Sequence, residues 1–182
     1  MITHTYIGHV IGASFGLVFV LVNSAPLVSA VRVVVCTLAV VTFFVVVAGF
    51  VTTLRTTGRE DNRTVVGFTG RYWIIVGVEA VLLFGGLAIV RLIEPAAALG
   101  WIALVVGVHF FPLSRLWATG RSQLTAIAIA MTLLGVAGLS LALATHSADA
   151  VGLLSGVGSG VVLLLAGLVA AVRTMTRRAT GH

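Results

Sequence analysis

Six long apolar stretches, separated by short polar breaks, account for nearly the whole chain. They run over about 6–22, 31–51, 72–90, 96–113, 124–145 and 151–172. A helix that crosses the hydrocarbon of a bilayer needs roughly 20 mostly apolar residues, with a working range of about 17–25. All six stretches fall in or near that range. Backbone amides cannot face lipid unpaired, so each stretch is expected to close its hydrogen bonds internally as a helix. The pattern predicts an all-α integral membrane bundle of six transmembrane helices, forming a single domain over residues 1–182.

The breaks are mostly tight turns. Residues 23–30 carry Pro26, residues 91–95 end on Pro95 at the start of the next helix, and residues 146–150 form a third turn. Only 52–71 has length, and its run of Arg59, Glu60, Asp61 and Arg63 is mixed in sign, as in a solvated linker. The helices group into three hairpins, without a residue-level repeat. The first stretch is expected to be a retained helix rather than a signal peptide. No Lys or Arg precedes it, and no clean small-residue cleavage site follows it. Gly8, Gly12 and Gly16 recur there at the spacing of a closely packed helix face.

Composition supports the same class. The chain is 59% hydrophobic and 9% charged with a mean hydropathy of +1.19, where a soluble domain is about 25% charged. The net charge of +6 arises from eleven Arg and no Lys. These Arg sit at helix ends, where they orient the protein and meet anionic headgroups, so the charge does not point to nucleic acid. With the N-terminus placed in the cytoplasm, Arg55, Arg59, Arg63, Arg71, Arg115, Arg121, Arg173, Arg177 and Arg178 fall inside. Only Arg32 and Arg91 fall outside. That asymmetry predicts both termini to be cytoplasmic. Tyr72, Trp73 and Trp117 sit beside Arg residues at the expected interface, and Trp101 marks the outer end of the fourth helix. The single Cys36 lies inside the second stretch, as a packed thiol would.

Ionisable groups inside spans are costly and commonly face protein or a water pocket. Glu79 lies eight residues beyond Arg71, roughly 12 Å from the cytoplasmic end at the helical rise. His109 lies six residues before Arg115 on the next, antiparallel helix, roughly 9 Å from the same end. The two are therefore expected at similar depth on neighbouring helices, with His9 of the first helix able to approach them. Tyr72, Glu79 and Gly86 are spaced by seven and share a face, which suggests packing on protein. Pro112 removes a donor to the Val108 carbonyl and is expected to kink the helix beside His109.

This candidate polar site of Glu79, His109, His9, Tyr72 and Arg115 admits two main readings. One is interhelical hydrogen bonding, with Glu79 neutral or paired to Arg71 or Arg115. The other is a proton relay in a transporter or channel. A metal or haem site is poorly supported, because no two ligand residues share one helix at i, i+3 or i, i+4 spacing. GxSxG, HExxH, Walker and CxxC patterns are absent from the sequence, so no catalytic machinery and no cofactor are predicted. Gly152, Gly156 and Gly160 form a ridge on the sixth helix, with Gly135 and Gly138 on the fifth. Such ridges let backbones approach closely, within the bundle or at a homo-oligomer contact.

The segment 101–117, WIALVVGVHFFPLSRLW, resembles one found in small, uncharacterised multi-pass bacterial membrane proteins with an HFFPL-type core. The resemblance covers about a tenth of the chain. It implies a membrane-embedded bundle and attaches no activity. The Arg-only, Val- and Ala-rich usage is compatible with a high-GC bacterium, hence a cytoplasmic (plasma) membrane. The expected function is a small membrane protein of structural or accessory type, whose partner is the lipid bilayer. The alternative is a proton-linked transporter or channel using Glu79 and His109.

Overall fold

A computed structural model describes residues 2–56, 70–116 and 121–179, and all of its regular structure is helical. The helices are α1 (Ile2–Asn23), α2 (Ser29–Thr56), α3 (Gly70–Ile93), α4 (Ala98–Leu116), α5 (Arg121–Thr145), α6 (Ala148–Val151) and α7 (Gly158–Ala179). A short 3-10 turn, Pro95–Ala97, leads into α4, and a π-helical segment, Gly152–Val157, joins α6 to α7. The charge run 59–63 and Trp117 lie outside the described residues.

Five stretches are long and apolar enough to cross a membrane: Ser29–Thr53, Tyr72–Ile93, Pro95–Leu116, Arg121–Thr145 and Ala148–Thr176. Gly8–Asn23 is a shorter apolar helix. The exposed surface is itself apolar, with Val28, Phe84 and Leu92 among the most exposed side chains. In water such a surface would drive aggregation, whereas in lipid it is the expected exterior. The chain is a multi-pass membrane protein.

Small residues decide which helices meet, because lipid offers no hydrophobic drive for one apolar helix to choose another. The most extensive contact joins α4 to α5. A Cβ on Gly107 would fall 2.5 Å from the Thr132 amide nitrogen, so only glycine permits this approach of backbones. On the other flank α1 lies antiparallel to α7, and a Cβ on Gly160 would fall 2.6 Å from the Gly16 carbonyl oxygen. Ala13 and Val20 of α1, Ala39 and Val46 of α2 and Leu164 of α7 close that core. Ile127, Met131 and Leu163 form a second core, linking α5 to α7. Gln123 Nε2 donates to the Ala166 carbonyl across the same contact at 2.6 Å. The Cys36 thiol lies 3.2 Å from the Ser24 hydroxyl, half-buried between the α1 end and α2.

The hairpin expectation needs two adjustments. α1 with α2 and α3 with α4 pack as hairpins, but α5 packs chiefly on α4, and α7 chiefly on α1. The sixth stretch is not one uninterrupted α-helix, because the π-helical segment carries Gly152, Ser155 and Gly156. Where α1, α4 and α5 all converge on this segment, the wider turn sets Ser155 against α5. Its hydroxyl there donates to the Leu134 carbonyl at 2.8 Å. Pro112, expected to disturb α4, leaves it helical through to Leu116, three residues past the predicted end at 113.

Candidate functional site

The site is built on the seam between α3 and α4. α3 is the outlying helix of the bundle. It packs on α4 and the turn before it, and none of its most apolar window is buried. At the end of the seam next to the α3–α4 connection, the Trp101 indole of α4 packs against Gly86 of α3, where a Cβ would collide with the ring. The Trp101 Nε1–H donates to the Leu82 carbonyl at 3.0 Å. Trp101, predicted as an interfacial marker, thus anchors α3 as well.

Two turns further along α4, His109 Nδ1 lies 3.1 Å from Glu79 Oε2 of α3. The His109 side chain is 11% exposed and that of Glu79 22%. The separation is within hydrogen-bonding range, although Nδ1 makes no aligned hydrogen bond. His109 also meets the Phe110 ring edge-on at 5.9 Å.

The other predicted site residues divide. Tyr72 is half-buried at the start of α3, in an edge contact with Trp73 at 5.6 Å between centroids. Tyr72, Glu79 and Gly86 share one face, and Glu79 and Gly86 meet α4. Arg115 is exposed at the end of α4 and does not pair with Glu79. The Arg71 side chain lies outside the described residues. His9 sits on α1, which packs chiefly on α2 and α7, whereas the pair lies between α3 and α4. Among the described residues no three His, Cys, Asp or Glu side chains gather as metal ligands would.

The glycine ridge faces inward. A Cβ on Gly156 would meet the Asn23 side chain at 2.6 Å, and Gly160 meets Gly16 and Val20. Gly152 is looser, with Leu99 at 3.7 Å. The face bearing Gly156 and Gly160 is therefore covered by α1 of the same chain.

Sequence reasoning missed one ionic contact. Glu94, between α3 and the 3-10 turn, pairs through Oε2 with His146 Nδ1, between α5 and α6. Its other oxygen accepts the Ala96 amide at 3.2 Å. The His146 hydrogen bond, then the Ala96 amide, holds the Glu94 carboxyl below the usual carboxylate range. His146 takes the left-handed conformation, φ 52°, that turns the chain out of α5. The available signal was one acid and one imidazole in short loops on the same side of the bundle. No family model, curated protein or solved structure matches this chain.

Proposed function

We propose that this is a plasma-membrane protein of structural or accessory type, six-spanning with both termini cytoplasmic, in which Glu79 and His109 clasp α3 to the bundle. The observation that carries this reading is the placement of the pair. It lies on the seam of the least-packed helix, between a tryptophan anchor on one side and an apolar cavity on the other. A polar pair in hydrocarbon stabilises the contact that keeps both groups off lipid. The residues beside it supply packing: an indole, a proline ring and aliphatic chains.

A second reading, proton-linked transport or a channel, is favoured by one specific feature. His109 Nδ1 is buried, close to a carboxylate and short of an aligned hydrogen bond. An imidazole so placed can exchange a proton with Glu79. The experiment that separates the readings is proton flux into proteoliposomes under an imposed pH gradient. The clasp reading expects wild type to be no leakier than protein-free vesicles. Flux that is present in wild type and abolished by Glu79→Gln, which keeps a hydrogen-bonding amide but carries no proton, establishes the transport reading instead.

A further inference from the structure

Beside the Glu79–His109 pair the α3–α4 seam opens into a wide-mouthed surface groove of about 310 Å3 lined by Ile74, Ile75, Pro112, Arg115 and Leu116. Four of the five lining residues are apolar, and the proline ring carries no amide donor. The fifth is Arg115, exposed, and among the described residues it has no carboxylate partner. Trp73, next to Ile74, is 61% exposed and contacts Tyr72. An exposed tryptophan beside a tyrosine at a helix end marks the headgroup level of a bilayer. Ile75 precedes Glu79 by one turn, and Pro112 follows His109 by three residues, so the groove lies about one turn from the pair along both helices.

A small soluble anion would find almost no polar wall in this groove, since Arg115 borders it through its carbon stem and the other lining residues are apolar. A hydrocarbon chain alone would leave the exposed Arg115 at the groove's edge unused. An amphiphile with a negative headgroup matches both features at the depth where they occur. We propose that this groove binds an anionic phospholipid, its phosphate on Arg115 and an acyl chain against Ile74, Ile75, Pro112 and Leu116. The bound chain covers the lipid side of Glu79 and adds to the hold of α4 on α3. This inference rests on the reading of the Arg115 end as a membrane surface.

The test is native mass spectrometry of the purified full chain, titrated in detergent with phosphatidylglycerol or phosphatidylcholine. Phosphatidylglycerol is retained in preference, and Arg115→Gln weakens its retention about fivefold, the worth of one basic residue at an anionic surface. Ile75→Trp fills the groove and removes retention of both lipids with Arg115 intact. Arg121→Gln, an exposed arginine at the same end on α5, leaves retention unchanged. Equal retention of the two lipids overturns the proposal, as does a loss in Arg121→Gln as large as in Arg115→Gln. Competition by glycerol phosphate, a headgroup without a chain, reassigns the site to free phosphate and also overturns it. Resistance of the chain to alkaline carbonate extraction reports separately on the membrane reading.

Discussion

Replacing Gly160 with alanine puts a methyl group where α1 and α7 touch. The new Cβ would lie 2.6 Å from the Gly16 carbonyl oxygen, 2.8 Å from Val20 Cγ2 and 3.0 Å from the Val20 nitrogen. Ordinary contacts between heavy atoms begin near ~3.5 Å, so the α1 backbone must retreat by roughly 0.9 Å. Two of the three obstacles are backbone atoms, which no change of rotamer can move. Overpacking of this kind costs about 1–3 kcal/mol. Alanine also gains about 1 kcal/mol of helix propensity over glycine, which partly masks the clash. Gly12→Ala removes that ambiguity, because a Cβ there meets nothing within 4 Å. Both variants share the propensity gain, so their difference isolates the clash, at about 1–3 kcal/mol. The assay is reversible denaturant unfolding of purified protein in detergent micelles, with both variants under one protocol. Equal stability of Gly160→Ala and Gly12→Ala would refute the argument and detach α1 from α7.

Other outcomes follow from the same structure. Reporters inserted in the 57–62 loop and after His182 are expected in the cytoplasm and one at Ser147 outside; tail and Ser147 reporters on the same side would contradict the six-span count. Because its carboxyl is held low in the folded chain, Glu94 contributes stability above the ordinary carboxylate range that is lost as pH falls through the lowered value. A carbon-13 titration should therefore give Glu94 a midpoint below 4.5, moving up towards 4.5 in His146→Ala. A wild-type midpoint at or above 4.5 would remove the pairing from the account.

Much of this fold was legible in the sequence, for a physical reason. Apolar length is a direct consequence of bilayer thickness, so five of the six predicted stretches are found at spanning length and the first as a shorter apolar helix. The meeting of Glu79 and His109 followed from two equally simple facts: a short loop makes neighbours, and a fixed helical rise sets depth. What escaped depended on side-chain packing between distant segments. The π-helical turn at Gly152–Val157 has the same apolar pattern as an α-helix, since periodicity cannot separate a local i+5 bond from i+4. Trp101 was read from its position alone, whereas its ring is set by the absence of a side chain at Gly86. The expected approach of His9 rested on depth alone, and depth arithmetic does not give the order of helices around a bundle, in which α1 packs chiefly on α2 and α7. Glu94 and His146 are 52 residues apart, and only the tertiary fold brings their loops together.

The clasp itself is tested most directly by a double-mutant cycle on Glu79 and His109, read as unfolding free energy in one detergent. Glu79→Leu, His109→Leu and the double variant each keep an apolar side chain of comparable bulk at the seam. Interhelical polar pairs in membranes couple by about 0.6 kcal/mol on average and up to about 1.7 kcal/mol, and a coupling in that range is expected here. A coupling of zero, with the single losses simply adding, would mean that the 3.1 Å approach does not hold α3 to α4 and would contradict the account.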